Sequence, residues 1–85
     1  MAKLVGFRHV QGTSKKTGKT FDAYVVSYLE QDEDQGAVGY KADSQFVDRA
    51  MFEAAVSGRA PEKLMNAECV LVYNKSGFLS QFLIP

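Results

Sequence analysis

The stretch Val-Gln-Gly-Thr-Ser-Lys-Lys-Thr-Gly-Lys-Thr-Phe-Asp-Ala-Tyr, residues 10–24, decides the fold of this chain. Apolar residues stand on both sides of a polar, glycine-containing tip at which the chain reverses, so the stretch predicts a β-hairpin. The returning strand continues to Leu29, and its alternation places Phe21 on one face and Tyr24 and Tyr28 on the other. The rest of the chain is expected to form the barrel that holds this hairpin.

The tip of the hairpin combines cations with a ring. Lys15, Lys16 and Lys19 lie within five residues, and Phe21 follows at once. Ammonium groups neutralise phosphates and flat rings stack on bases, which is the combination that a single nucleic-acid strand requires. We expect Phe21 to stack on a base and at least one of Tyr24 and Tyr28 to lie on an outer, binding-competent surface. The alternative is that Phe21 plugs the end of the barrel.

The segment from Gly12 to Thr20 also matches the phosphate-binding expression GxxxxGK[ST]. That loop requires a helix directly after it. Here the residues from Phe21 to Leu29 are rich in β-branched and aromatic side chains, which are typical of a strand. The match is therefore a coincidence of a lysine-rich hairpin.

Length and composition limit the possible classes of protein. Eighty-five residues make one domain, residues 1–85, and a chain this small buries only about 60% of its unfolded surface. Because the second strand is also apolar on both faces, we expect a homodimer. The single Cys69 excludes an internal disulfide, and the apolar residues after it indicate a buried thiol. His9 has no second ligand spaced to join it in a metal site, so no metal or cofactor is expected.

Net charge is zero but unevenly distributed. Residues 1–19 carry five basic side chains and no acid, whereas residues 20–34 carry five acids and no base. Such an uneven charge distribution produces an electrostatic field around the protein even when the net charge is zero. The apolar run after Lys3 is too short for a signal peptide and no stretch approaches a membrane span, so a cytoplasmic protein without membrane contact is expected.

The remaining pattern predicts the bounds of the first strand and four further elements. A first strand runs over residues 3–10, with Gly6 a bulge or kink and with Val5, Phe7 and His9 on one face. A third strand spans residues 37–47, and a helix capped by Asp48 spans residues 49–56 and stops at Gly58. Strands over 68–74 and 78–84 follow, joined by a tight turn at 75–77. The fold class is mainly β: a five-stranded OB-fold-like barrel with one short helix between strands 3 and 4, with an SH3-like barrel as the alternative.

The residues from Gln11 to Phe21 and the closing hairpin from Cys69 to Pro85 resemble the DNA-binding wing and the last hairpin of filamentous-phage gene V-type proteins. They also resemble small OB-fold proteins of conjugative elements and plasmids. The resemblance implies a helix-destabilising protein that binds single-stranded DNA without sequence preference during replication of a phage, plasmid or integrative element. It also implies a two-fold dimer. The helix over 49–56 and the acidic turn over 30–34 depart from that pattern.

Some nucleic-acid contacts are expected from the resemblance and others directly from the sequence pattern. Together they are Arg8, Lys15, Lys16, Lys19, Phe21, Tyr24, Tyr28, Tyr73 and Phe78. Both DNA and RNA offer phosphates and bases, so RNA remains a possible ligand. No nucleophile–base pair, carboxylate pair or metal cluster is visible, and the chain is not expected to be an enzyme. The alternative function is an interaction module for a helicase, a relaxase or other replication proteins, with the acidic turn over 30–34 as its docking surface.

Overall fold

Five antiparallel strands form one sheet in the computed structural model, which describes residues 2–85. The strand order across the sheet is β3-β2-β1-β4-β5. The strand bounds are Ala2–Thr13 for β1, Thr20–Gln31 for β2, Tyr40–Asp48 for β3, Glu68–Tyr73 for β4 and Leu79–Leu83 for β5. A mainly β chain of five strands is therefore confirmed, with β1 and β2 longer than the sequence pattern predicted.

The β1–β2 hairpin pairs from Lys3 with Leu29 to Thr13 with Thr20, and its register shifts once, between Leu4 and Gly6. The irregularity expected at Gly6, a bulge or a kink, is a bulge whose unpaired residue is the neighbouring Val5. Its extra residue exchanges the two faces of the strand, so Leu4 and Phe7 both face the core and Val5 does not share their face. The predicted grouping of Val5 with Phe7 and His9 was wrong for this reason.

The helix α1, Arg49–Val56, lies between β3 and β4, where it was predicted. Asp48 stands at its N-cap without a side-chain hydrogen bond, and Ser57 (φ 54°) and Gly58 (φ +78°) end it in left-handed conformations. The buried face of α1 is formed by Phe52, Ala55 and Val56. We call the side of the sheet that α1 packs against the inner face and the opposite side the outer face.

The core lies between the inner face, α1 and β5. Its fully buried large side chains are Phe52, Leu4, Val26, Val47 and Cys69. Phe52 is central, since its ring stacks on Tyr24 at a centroid distance of 3.9 Å and lies nearly parallel to Phe82 at 6.3 Å. A short 3-10 helix, Pro61–Leu64, leads from α1 towards β4 and adds Leu64 to the core.

The sheet is not closed into a barrel by backbone pairing. β1 pairs with β4 only at Ala2–Cys69 and Lys3–Glu68, and within residues 2–85 no ladder joins β3 to β5. Side chains cross part of the gap instead: the Tyr73 hydroxyl donates to Gln45 at 3.1 Å and lies 3.4 Å from the Tyr28 hydroxyl. Polar contacts thus connect β4 to β3 and β2 across the gap.

Candidate nucleic-acid interface

Two aromatic side chains stand together on the outer face near the hairpin tip. Phe21 of β2 is 41% exposed and Phe46 of β3 is 56% exposed, and their ring centroids lie 6.4 Å apart in an edge-to-face arrangement. Phe46 comes to this position because β3 pairs Phe46 with Val25, whose side chain shares the outer face with Phe21. The sequence reasoning missed Phe46 as a site residue. Its place beside Phe21 depends on the β2–β3 register, which the local pattern does not give.

The ring of Phe21 lies over Gly12 of the neighbouring strand β1. Gly12 pairs with Phe21, and a Cβ built on Gly12 would come within 2.9 Å of the Phe21 Cζ atom. The missing side chain therefore leaves the space over which the ring lies. Phe21 does not plug the end of a barrel, because it lies on the face of the sheet opposite the core.

A third exposed ring belongs to the turn between β4 and β5. Phe78 is 71% exposed, and it lines a groove of about 260 Å³ together with Phe46 and Met51. The turn is ordered, since the Asn74 side-chain oxygen accepts hydrogen bonds from the backbone N–H groups of Ser76 and Phe78. Phe46 thus contacts Phe21 and shares a groove with Phe78, and we call these three exposed rings the aromatic row.

The hairpin tip is a closed loop that presents its lysines to solvent. The Ser14 N–H donates to the Lys19 carbonyl and the Gly18 N–H to the Ser14 carbonyl, both at 2.8 Å. Gly18 allows this reversal at φ +70°. Lys15, Lys16 and Lys19 are exposed, and in the part of the chain described here none makes an ion pair with a carboxylate. Their charge is therefore available to an anionic partner.

Arg8 adds a further cation to the outer face. It pairs with Val25 across the hairpin, and Val25 pairs with Phe46, so the three residues form one line across β1, β2 and β3. Arg8 is exposed. The outer face thus carries cations on two sides of the aromatic row.

Tyr24 and Tyr28 both point to the inner face: Tyr28 is buried there, whereas Tyr24 is half-buried and lines a groove of about 300 Å³ with Phe52 and Pro61. One face of the Tyr24 ring stacks on His9 at 4.8 Å, and a second stacked contact is made with Phe52. Tyr28 is 4% exposed, and burial raises the pKa of its hydroxyl, with its neighbour Tyr73 adding to the shift. Tyr28 belongs to the apolar core and Tyr24 packs against it, because β2 turns its even-numbered side chains towards α1.

Tyr73 lies apart from the aromatic row. It is partly exposed, but its hydroxyl is engaged by Gln45 and Tyr28 at the gap between β4 and β3. Of the nine residues expected at the interface, Arg8, Phe21 and the three lysines lie on the exposed hairpin, and Phe78 shares a groove with Phe46. The structure directs Tyr24, Tyr28 and Tyr73 elsewhere.

A polar network joins the hairpin to α1. Asp22 contacts His9 through one carboxylate oxygen and accepts a 2.9 Å hydrogen bond from Arg49 through the other. Arg49 also donates to Glu53 one helical turn further on, at 2.8 Å. The hydrogen bond with His9, and then the one with Arg49, holds the pKa of the Asp22 carboxyl below its usual range. The network links the hairpin to the first turns of α1 at an exposed position.

The acidic turn lies at the far end of β2 from the lysines, about 35 Å away along a strand of this length. Its backbone is folded by hydrogen bonds from Asp32 to Gly39 and from Ala37 to Asp34. Beside it lies a groove of about 700 Å³ whose lining includes Glu30, Glu33 and Tyr40. The molecule therefore has a basic end and an acidic end.

Other kinds of site have little support in residues 2–85. Cys69 is buried, and burial raises the pKa of its thiol. Among the described residues, no three His, Cys, Asp or Glu side chains are placed to share a metal ion. Within the same residues, no helix has the length and apolar character needed to cross a bilayer.

Comparisons of the chain with protein-family models, with curated proteins and with solved structures found no match.

Proposed function

We propose that this protein binds single-stranded DNA without sequence preference. The observation that carries the proposal is the aromatic row, Phe21, Phe46 and Phe78, whose rings are exposed and of which Phe21 lies next to the hairpin tip. The three lysines of that tip make no ion pair within residues 2–85. Large rings are usually buried, so the three exposed rings of the aromatic row indicate a binding surface.

Each part of the surface has a separate role in this mechanism. Lys15, Lys16, Lys19 and Arg8 neutralise phosphates and release counterions, which favours binding at low salt. The rings stack on bases, each contributing about 1–3 kcal/mol, and every base offers a π-face. Stacking on this pattern does not read base edges, so binding tolerates any sequence.

The two ends of the molecule set the path of the strand. The acidic turn repels phosphates, whereas the lysine tip attracts them, so the strand crosses the outer face at the tip end. Bases are available for stacking only when they are unpaired. A protein that binds the single strand and not the duplex destabilises the duplex by mass action.

We further propose that the sheet is an open variant of the OB-type barrel. In OB folds the face of strands 2 and 3, with the loops between strands 1 and 2 and between strands 4 and 5, binds oligonucleotides. The aromatic row occupies the corresponding places: Phe21 and Phe46 on β2 and β3, and Phe78 after the β4–β5 turn. The resemblance noted above favours replication of a phage, plasmid or integrative element in the host cytoplasm as the setting.

The decisive experiment is a titration of fluorescent oligo-dT, oligo-U and duplex DNA at two salt concentrations. We expect oligo-dT to bind more tightly than duplex and its affinity to fall with salt. Equal affinity for duplex and single strand would show that the rings do not stack on bases. Absence of all binding at low salt would overturn the proposal.

The second candidate function is an interaction module that binds replication proteins through the acidic end. The groove beside Glu30, Glu33 and Tyr40 favours it, because it combines carboxylates with an exposed ring. The same titration separates the two candidates: an interaction module without nucleic-acid affinity would bind none of the three oligonucleotides.

A further inference from the structure

The strand β1 has a long edge without a partner. It pairs with β4 only through Ala2 and Lys3, and Leu4 then exchanges hydrogen bonds with Ala67 and Asn66. From Gly6 to Thr13 the strand pairs with β2 alone, and in the described part of the chain no other backbone group bonds to this segment. One side of β1 is therefore open over this length.

The alternation of an antiparallel ladder identifies the free groups. Ser14 donates to Lys19 across the hairpin, so hydrogen-bonded pairs recur every second residue back from Ser14, at Gly12, Val10 and Arg8. The N–H and C=O groups of the residues between them point to the open edge. These residues are Phe7, His9, Gln11 and Thr13.

Such an edge is normally protected, because unpaired N–H and C=O groups recruit other strands. Residues 7–13 contain no proline, and the only register shift in β1 lies before them. His9, Gln11 and Thr13 are all exposed. The edge is thus a flat, accessible template seven residues long.

We infer that the open edge of β1 pairs with the same edge of a second copy of this chain, antiparallel and about a two-fold axis at Val10. The four residues with free groups are symmetric about Val10. In this register His9 pairs with Gln11 of the other copy and Phe7 with Thr13 of the other copy. All four residues of each copy then find partners, in about eight new hydrogen bonds.

The charges of the edge fit this register. Val10 lies opposite Val10, and Arg8 lies opposite Gly12, so no like charges face each other across the axis. The tip lysines of each copy project past Phe7 of the other copy towards the β1–β4 junction. Glu68 lies opposite Lys3 in the β1–β4 ladder, so that junction carries one acid and one base. A register centred on His9 would instead place two histidines face to face.

The inferred dimer extends the proposed binding surface. Two copies joined at β1 form a continuous sheet of strands β3-β2-β1-β1-β2-β3. A two-fold axis perpendicular to the sheet keeps both outer faces, and hence both aromatic rows, on one side. This consequence rests on the proposed function, whereas the dimer itself does not.

Oxidative cross-linking tests the register directly. At the axis the two Val10 residues form a non-hydrogen-bonded pair, with Cα atoms about 4.5 Å apart, which suits a disulfide. V10C is expected to cross-link rapidly in the full chain. The matched control R8C places its two Cα atoms about 14 Å apart and is expected not to cross-link at that rate. Cys69 is buried and does not contribute. Equal rates for the two variants would overturn the inference.

A second test removes one free donor. Gln11→Pro deletes an N–H that points to the open edge and leaves the β2 ladder intact, because proline is tolerated at strand edges. Sedimentation at tens of micromolar is expected to show a dimer for the parent chain and for Gln11→Val, and a monomer for Gln11→Pro. A monomeric parent, or a dimeric Gln11→Pro chain with parental circular dichroism, would contradict the inference.

The two proposals fail separately. A Gln11→Pro monomer keeps its aromatic row and its lysines, so it is expected to bind a short oligo-dT normally. It is expected to lose affinity, by tenfold or more, only for oligonucleotides long enough to span two copies. Loss of short-oligonucleotide binding would contradict the independence of the two surfaces, whereas a parent chain that dimerises without binding DNA would overturn only the proposed function.

Discussion

Phe21 and Gly12 form a cross-strand pair in which the ring occupies the space that a side chain on Gly12 would need. The Phe21 Cζ atom would lie 2.9 Å from a Cβ on Gly12, closer than non-bonded carbon atoms approach. The position of the ring on the outer face therefore depends on the absence of that one atom.

Gly12→Ala is expected to move the Phe21 ring without unfolding the protein. The colliding atom is the far end of a side chain, and Gly12 does not have positive φ, so alanine fits its backbone. We expect a nearly unchanged Tm and a loss of oligo-dT affinity similar to that of Phe21→Ala. The double variant should lose no more than either single one, since both act on the same ring. Gly6→Ala is the control, because its Cβ would lie 3.8 Å from Ser27. Additive losses would show that Gly12 acts independently of Phe21.

Replacing Lys15, Lys16 and Lys19 by alanine is expected to change the salt dependence of binding. Each phosphate contact with a single strand contributes a slope of about −0.7 in log affinity against log salt, so three contacts contribute about −2. The lysines make no ion pair within the described residues, so Tm should hardly move. Lys63→Ala, in the 3-10 helix, is the matched control and should leave the slope intact. An unaltered slope in the triple variant would remove the tip from the interface.

Phe46→Ala and Phe78→Ala are expected to weaken binding far more than they weaken the fold. Each ring is more than half exposed, so its removal leaves little cavity, whereas a lost stack costs about 1–3 kcal/mol of affinity. Phe52→Ala should do the opposite, because its ring is buried and its loss costs about 3–5 kcal/mol of stability. Oligo-dT titration with thermal melting of each variant measures both effects. If Phe46→Ala melted as early as Phe52→Ala, Phe46 would belong to the core.

Asp22→Asn is expected to destabilise the protein in a pH-dependent way. The folded-state pKa of Asp22 is depressed, so its contribution to stability is present above the unfolded pKa of about 3.9 and is lost as pH falls through the folded value. The Tm difference between parent and variant should therefore be largest near neutral pH and disappear in acid. A difference that persists unchanged at pH 2 would show that the carboxylate charge is not what joins the hairpin to α1.

Tyr73→Phe tests whether side chains hold the open sheet together. The change removes the 3.1 Å hydrogen bond to Gln45 and the contact with the Tyr28 hydroxyl. One hydrogen bond of this kind contributes about 0.5–1.5 kcal/mol, which urea unfolding can resolve. Tyr40→Phe is the control, because Tyr40 is exposed and its hydroxyl has no partner among the described residues. Equal stability of the two variants would mean that the contact between β4 and β3 is not stabilising.

Local sequence patterns were enough to predict the strands and the helix. They were not enough to predict which face of each strand is buried or whether the sheet closes into a barrel. The hairpin, the bulge at Gly6 and the helix bounds follow from turn residues, periodicity and stop signals that lie within a few residues of each other. The burial of Tyr28 and the exposure of Phe46 depend on which face of the sheet α1 covers. That is decided by contacts between residues far apart in the sequence. Alternation separated Phe21 from the two tyrosines correctly, but it could not say which set faces the core. Gly12 beneath Phe21 was visible only once the register was known.

The bulge between Leu4 and Gly6 makes the length of β1 as important as its composition. Upstream of it Leu4 faces the core, and downstream of it Phe7 does, because one surplus residue changes the phase of the strand. Exchanging Val5 for another side chain leaves that phase alone. Deleting Val5 would remove the bulge and leave Phe7 facing the core in its present register, because Gly6 would follow Leu4 directly, whereas deleting Arg8 would turn His9 outward and Val10 inward. Divergence among descendants of this chain should therefore accept a substitution or a single-residue gap at position 5, and almost never a single-residue gap between Phe7 and Thr13.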